Sequence, residues 1–210
     1  MLMKFAVFPL KIVLFPESII PLHIFEEKYK IMVNDFRENQ LGFGINLSIT
    51  GKNFNIGCEA KKVEIIKIYD DERMDILVYG GRRYIVNNIE ESEYGYLIGS
   101  PDYFEDKTDL FDSRTLMKCL KTYNDIVHLL KNESIKEIFI SDLKTLKPSF
   151  YLAQKSGLTA IQKQHILELK SENDRLINIL AHLENVFPAI KEAETVSRII
   201  KNDGYWTVDK

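Results

Sequence analysis

Cysteine and long apolar runs are scarce in this sequence of 210 residues. Its two cysteines, Cys58 and Cys119, are too few for a disulfide framework and are typical of buried thiols in a reducing compartment. No run of about 18 uncharged apolar residues occurs, so no segment is expected to span a membrane. Lys4, Pro9 and Lys11 interrupt the apolar N-terminus, which argues against a signal peptide. We therefore expect a cytoplasmic protein.

Motifs for nucleotide and metal chemistry are missing as well. The pair Gly51-Lys52 is followed by Asn53 and has no phosphate-loop pattern around it. Gly42 and Gly44 lack the third glycine of a dinucleotide fingerprint. None of the four histidines has a histidine partner four residues away, and no C-x-x-C occurs. We predict no catalytic, cofactor-binding or metal-binding residues.

Four groups of residues invite a chemical role, and for each we favour a structural interpretation. His23 near Glu26 has no neighbouring nucleophile and is typical of a histidine at a strand end. Cys58 could pair with a distant histidine, but cysteines are far more often buried than reactive. Arg82 and Arg83 are typical of one outward and one snorkelling arginine rather than of an anion site. The fourth group is an acidic cluster expected at a solvated hairpin tip rather than around a metal: Asp70, Asp71, Glu72 and Asp75.

The composition of the chain changes near residue 106. Eight of the ten glycines precede this point. Residues 1–106 contain 12 Lys and Arg against 17 Asp and Glu, whereas residues 107–210 contain 16 against 14. Glycine-rich sequence followed by periodic, glycine-poor sequence predicts a β-rich part followed by a helical part. We predict two subdomains, 1–106 and 107–210, that pack together as one unit.

The first part is predicted to contain about six short strands and one helix. Pro9, Pro16 and Pro21 cut the opening into short extended pieces, because proline donates no backbone hydrogen bond. Apolar residues at helical spacing from Phe25 onward predict a helix over residues 25–39. The segment DDER is predicted to connect the two strands of a long hairpin. Together these elements predict a small barrel, closed or nearly closed.

The second part is predicted to be helical. A stripe from Leu116 to Leu130 predicts a helix capped by Asp112 or Ser113. Helix starts are expected at Pro148 and after Thr159, and a helix end at Gly157. Pro188 is expected to kink or divide the last helix. That helix carries an apolar seam formed by Leu176, Leu180, Leu183, Phe187 and Ile190.

Short motifs follow one another along the chain in a recognisable order. A strand ends in Pro-Leu, an apolar Phe-Pro step follows, and a Pro-Leu-x-Ile-Phe-Glu segment leads into a helix. These motifs consist of Phe8, Pro9, Leu10, Leu14, Phe15, Pro16, Pro21, Leu22, Ile24, Phe25, Glu26 and Tyr29. Further matches are Phe43-Gly44, Ile56-Gly57, the stretch from Gly81 through Arg83 to Tyr84, Tyr151-Leu152-Ala153, Lys163-Gln164, Leu167-Glu168 and Arg175-Leu176. The order resembles the N-terminal substrate-binding domain of Lon proteases over nearly the whole chain.

The resemblance implies an α+β fold, with an N-terminal PUA-like β-barrel, an inserted helix and a C-terminal helical bundle. In full-length Lon this domain precedes an ATPase domain and a Ser–Lys peptidase domain, whose motifs are missing here. We therefore expect a free-standing, non-catalytic form. The family usually has glycine where Glu17 stands, so Glu17 is strained if that turn requires a positive φ. The signature residues, which we expect to be mostly structural, are Pro9, Leu10, Phe15, Pro16, Pro21, Leu22, Phe25, Glu26, Tyr29, Gly44, Gly57, Gly81 and Arg83.

The function that the resemblance implies is recognition of a protein or peptide without catalysis. We expect the partner to be an unfolded or extended polypeptide or a protein, and neither nucleic acid nor a membrane. The alternative is an RNA-binding protein or an enzyme that uses the PUA-like barrel. An RNA-binding protein requires a basic face, whereas residues 1–106 carry an acidic excess. The sequence assigns no residues to binding.

Overall fold

The computed structural model describes residues 5–38, 41–108, 111–143, 145 and 147–202, which form an α+β fold. Its strands are β1 (Phe5–Leu10), β2 (Ile19–Ile24), β3 (Gly42–Ile49), β4 (Lys52–Ile68), β5 (Met74–Glu91) and β6 (Leu97–Phe104). Its helices are α1 (Glu27–Glu38), α2 (Ser113–Leu130), α3 (Pro148–Lys155), α4 (Ala160–Glu168) and α5 (Glu172–Asn202). The fold class expected from the sequence is confirmed. None of the helices in the described ranges is both long and apolar enough to cross a bilayer.

The six strands form one sheet in the order β2-β5-β4-β3-β1-β6. Because β5 also pairs with β6, five strands close into a ring, and β2 lies outside the ring against β5. The predicted barrel is therefore a five-stranded ring with a flanking strand. Pro9 lies in β1 beyond Phe5–Val7, the residues that pair with β6, so its missing N–H breaks no bond on that side.

The chain divides into two compact units. The sheet unit consists of Met1–Lys107 and Thr159–Lys170, and the helical unit of Thr108–Leu158 and Ser171–Lys210. The division assigns α4 to the sheet unit, although α4 follows residue 106. The reason is that Gln164 of α4 donates a hydrogen bond to the carbonyl of Ile56 in β4, at 3.0 Å. That two subdomains pack as one unit stays a prediction.

A buried tyrosine organises the interior of the ring. Tyr84 is fully buried, contacts Phe5 edge-on with ring centroids 4.8 Å apart, and donates a hydrogen bond to the side chain of Asn46. Gly44 and Gly57 lie against it. A Cβ atom on Gly44 would lie 2.4 Å from the Tyr84 ring, and one on Gly57 would lie 2.6 Å from the Ile45 carbonyl oxygen. Both glycines are therefore required by packing.

The turn from Phe15 to Ser18 connects β1 to β2 and has the strain that the sequence suggested. Glu17 has a φ of 61°, and the backbone N–H of Ser18 donates to the carbonyl of Phe15 at 3.2 Å. Pro16 followed by a residue with positive φ is typical of a type II turn, which favours glycine at that second position. Ser18 Oγ completes the turn by donating to the Phe15 carbonyl at 2.7 Å.

Replacing Glu17 by Gly should raise the free energy of unfolding by about 0.5–1 kcal/mol. Glycine removes the steric cost of the left-handed conformation, and the greater freedom of the unfolded chain offsets part of that gain. Urea unfolding of wild type and Glu17→Gly measures the difference. Glu17→Ala keeps the Cβ atom and serves as the control. A Gly variant no more stable than the Ala variant would show that the turn is not strained.

The helical unit follows most of the local signals of its sequence. Asp112 caps α2, Pro148 lies in the first turn of α3, and a Thr159–Gln162 capping box starts α4, which belongs to the other unit. The predicted seam of α5 faces the packed side: Leu176 and Leu183 are buried and Leu180, Phe187 and Ile190 are half-buried. The seam omitted Ile179, which is fully buried. Pro188 does not divide α5, which continues as one helix to Asn202. In the other unit, the sequence predicted that the first helix extends to residue 39, and that residue lies outside the described residues.

Candidate functional site

Three strand segments of the sheet unit form an arm with one exposed face. The segments are β2, Met74–Tyr79 of β5 and Lys62–Ile68 of β4. Residues paired across neighbouring strands point to the same face. The pairing therefore produces three rows across the arm: Ile19–Tyr79–Lys62, Pro21–Leu77–Glu64 and His23–Asp75–Lys67. These nine residues are called the arm face below.

Apolar and aromatic groups are exposed on and beside the arm face. Ile19 is 51% exposed, and Phe25, which follows β2, is 62% exposed. The Phe25 ring stacks on the His23 ring with centroids 6.2 Å apart. On the opposite face, Met74, Ile76 and Val78 of β5 are at most 4% exposed. The arm thus packs one face into the core and presents a mixed apolar and polar surface on the other.

A hydrogen-bonded network occupies one end of the arm face. His23 Nδ1 donates to Asp75 Oδ1 at 2.6 Å, and Tyr69 OH donates to Asp75 Oδ2 at 2.7 Å. The hydrogen bond from His23, followed by that from Tyr69, lowers the pKa of Asp75 below its ordinary value. The same contact with Asp75 raises the pKa of Tyr69. Asp75 is therefore an ionised acceptor that fixes both rings on the surface.

The outer edge of β2 has no partner strand among the described residues. The carbonyl of Ser18 accepts from the N–H of Gly80 at 2.8 Å and therefore faces β5. The backbone groups of every second residue from Ile20 to Ile24 face β5 in the same way. Those of Ile19, Pro21 and His23 face outward by alternation. Pro21 supplies a carbonyl but no N–H there, as expected for proline in an edge strand. The edge can therefore pair with an extended segment, although with fewer donors than an ordinary strand.

The structure separates the residues that had invited a catalytic role. His23 is bound to Asp75 and not to Glu26. Glu26 directly precedes α1, and its backbone carbonyl accepts from the N–H groups of Tyr29 and Lys30. Cys58 and Cys119 are fully buried, and burial raises the pKa of both thiols, that of Cys119 to about 12. Thiols in such surroundings are not nucleophiles near neutral pH.

The two arginines of β5 differ in their surroundings. Arg82 is exposed, lies 3.7 Å above the Tyr103 ring, and donates from Nε to Glu59 at 3.1 Å. Arg83 is only 2% exposed and therefore does not snorkel, contrary to the sequence-based interpretation. It donates to the Leu167 and Leu169 carbonyls at 2.8 and 2.6 Å and pairs with Asp106. A buried guanidinium is stable only with such acceptors.

The acidic cluster is at the tip of the hairpin between β4 and β5, as predicted. Arg73 Nε donates to Asp71 Oδ2 at 2.7 Å, and Glu72 has a φ of 64° within the turn. Asp75 belongs to the arm face instead.

Within the described ranges, no three side chains of the His, Cys, Asp and Glu types come together in a way that could hold a metal ion.

The signature residues spread over the sheet unit rather than forming one site. Pro21 lies on the arm face, and its neighbour Leu22 points the other way and is half-buried. Phe25 is exposed before α1, although its spacing suggested the buried face of that helix. The others lie within strands, turns or helix α1: Pro9, Leu10, Phe15, Pro16, Glu26, Tyr29, Gly44, Gly57, Gly81 and Arg83. Their mostly structural role stays a prediction.

Comparison with known proteins gives one family and several solved structures. The family model described as the ATP-dependent protease La (LON) substrate-binding domain matches residues 4–185. The crystal structure of a Lon N-terminal domain protein from Xanthomonas campestris is 21% identical, with a TM-score of 0.60 over 85% of this chain and 97% of that one. The N-terminal domain of Mycobacterium avium complex Lon protease is 16% identical, with a TM-score of 0.64 over 86% and 98%. Comparison with curated proteins gives no match.

Proposed function

Because this chain belongs to the family of ATP-dependent protease La (Lon) substrate-binding domains, we propose that it binds exposed apolar segments of polypeptides through the arm face and the outer edge of β2. It does so without cutting them and without ATP. The ligand is an unfolded or extended chain, or a flexible segment of a protein partner. We further propose that this binding takes place in the cytoplasm.

The observation that carries the proposal is the exposed apolar surface beside an unpaired strand edge. Ile19 and Phe25 are more than half exposed at the two ends of β2. Leu77 and Pro21 lie between them on the arm face. Apolar side chains of an extended segment could contact this surface while its backbone bonds to the outward carbonyls of β2. Such a mode recognises hydrophobicity and extended conformation rather than one sequence.

The charges of the arm face do not favour RNA. Lys62 and Lys67 are matched on the same face by Glu64 and Asp75. Lys62 donates to Glu64 at 3.1 Å, and Tyr79 OH donates to the same carboxylate at 2.9 Å. A phosphate backbone requires unmatched positive charge. We therefore expect binding that depends only weakly on salt, with an affinity on the order of micromolar, or about 8 kcal/mol.

The double variant Ile19→Glu with Phe25→Glu should weaken polypeptide binding at least tenfold. Burying a large apolar side chain contributes about 1.5–3 kcal/mol, and a carboxylate at the same place must lose its hydration. Both residues are exposed, so the fold should tolerate the changes. Fluorescence anisotropy with a labelled, alkylated polypeptide that stays unfolded measures the affinity, at low and high salt and with and without ATP.

The matched control is the double variant Met117→Glu with Ile177→Glu. These side chains are 51% and 54% exposed on α2 and α5, outside the arm face. The control should bind like wild type. Equal losses in the two double variants would show that added negative charge, rather than the arm face, controls binding. Cleavage of the polypeptide, or binding only with ATP, would contradict the passive role.

A further inference from the structure

Two adjoining cavities lie in the helical unit. The first has a volume of about 260 Å³ and apolar walls, with Val127 on α2 and Leu183 and Val186 on α5. The second has a volume of about 380 Å³ and is more polar. Both cavities are lined by Tyr123, Ile135 and Lys155, so they adjoin one another. Together they are called the helical groove.

The polar cavity carries positive charge that the surrounding side chains leave unmatched. It is lined by Lys136 and Lys155, for which the described part of the chain provides no carboxylate partner within ion-pair distance. The acidic group among its described lining residues, Glu137, lies 3.0 Å from His128 Nε2 and is therefore already engaged. Tyr151 and Gln154 add hydrogen-bonding groups to the same wall. Both lysines are exposed where they line this cavity, so their side chains are free to turn toward a negatively charged group placed there.

The apolar cavity shares Lys155 with the polar cavity, and no other lysine or arginine is among its described lining residues. His182 lines it, but its Nε2 donates to the carbonyl of Ser156 at 2.9 Å, which ties the ring to the end of α3. The remaining walls are mostly aliphatic, as in pockets that take a hydrocarbon group. The helical groove is thus apolar at one end and basic at the other.

We propose that the helical groove binds a small amphipathic carboxylate, with its aliphatic chain in the apolar cavity and its carboxylate between Lys136 and Lys155. Small-molecule pockets typically enclose about 300–1,000 Å³, so the two cavities together suit one ligand with a medium-length chain. The carboxylate gains charge-assisted hydrogen bonds from the lysines. This site is independent of the arm face, and binding there does not require the proposed function to hold.

Isothermal titration calorimetry of the full chain with sodium decanoate, below its micelle concentration, tests the proposal. Decanoate should bind with a stoichiometry of one. Decylammonium and 1-decanol carry the same chain with a positive or a neutral head, and each should bind at least tenfold more weakly. No decanoate binding, or equal affinity for all three compounds, would overturn the proposal because the lysines would then recognise nothing.

Charge reversal locates the head group. Lys136→Glu and Lys155→Glu should each weaken decanoate binding at least tenfold. Lys118→Glu changes the net charge equally, lies exposed on α2 outside both cavities, and should leave the affinity unchanged. Equal effects of all three variants would overturn the assignment.

Blocking the apolar end tests the position of the chain. Val186→Trp should abolish decanoate binding while its circular dichroism spectrum stays that of wild type. If this variant does not fold, the lysine variants test the proposed site instead. A peptide of alternating Leu and Glu that displaces decanoate and binds more than tenfold more tightly would show that the groove takes polypeptide. That result would overturn the assignment to a small ligand.

Discussion

Replacing Arg83 by Met should lower the free energy of unfolding by about 3–5 kcal/mol, the usual cost of breaking a buried ion pair from one side. Met fills much of the volume of Arg but cannot donate to the Leu167 and Leu169 carbonyls. The Asp106 carboxylate, which is 12% exposed, would lose its ion pair with the guanidinium. Urea unfolding monitored by circular dichroism measures the loss.

The neighbouring arginine provides the control for this prediction. Arg82→Met makes the same chemical change one residue earlier on β5, where the side chain is 55% exposed. Exposed ion pairs contribute about 0–1 kcal/mol, so we expect a loss in that range. If both variants lose the same stability, Arg83 is not the buried anchor between β5 and the C-terminal end of α4. Arg83→Lys should also be destabilising, because an ammonium group cannot reach all three acceptors in the geometry of a guanidinium.

Replacing Gly80 by Ala should destabilise the protein by about 3 kcal/mol or more, at the upper end of the range for overpacked sites. A Cβ atom at this position would lie 1.9 Å from the carbonyl oxygen of Phe15. That oxygen is a backbone atom, so neither β5 nor the Phe15 carbonyl can move away without breaking the turn. Gly80 also exchanges backbone hydrogen bonds with Glu17 and Ser18, at 3.0 and 2.8 Å.

Gly51→Ala is the matched control for the clash. Gly51 has a φ of 77°, and a Cβ atom added to it would meet no other atom within 4 Å, so Ala there is strained but does not collide. The expected loss is about 1 kcal/mol. Urea unfolding of both variants compares them directly. A Gly80→Ala variant no less stable than Gly51→Ala would mean that β5 does not approach the Phe15 turn closely enough to exclude a methyl group.

Local signals in the sequence predicted the ends of several helices. Asp112, Pro148 and the pair Thr159–Gln162 act on the backbone within three residues of themselves, so their effect is visible without a fold. Phe25 shows where such reasoning fails. Its spacing fits the helix, but its ring stacks on His23, a contact set by the end of β2. On α5 the spacing identified the buried Leu176 and Leu183 but missed Ile179, because Ile179 and Leu180 are both apolar and only packing decides which is buried more deeply.

The candidate site depends on pairing between distant parts of the chain. His23 meets Asp75 because β2 pairs with β5 across 52 residues, and Arg83 meets the Leu167 carbonyl across 84. No periodicity encodes such a register. The prolines did indicate short extended pieces in this part of the chain, but not that β2 would be an edge strand. Asp75 had appeared only as part of an acidic hairpin tip, and its contact with Tyr69 was not predicted.

Hydrogen–deuterium exchange with and without an alkylated, unfolded polypeptide tests the proposed binding surface most directly. The outward amides of Ile19 and His23 should exchange more slowly in the complex, because the bound segment covers the edge of β2. Peptides from the helical unit should show no change. Slower exchange confined to the helical unit, with β2 unchanged at saturating polypeptide, would contradict binding at the arm face.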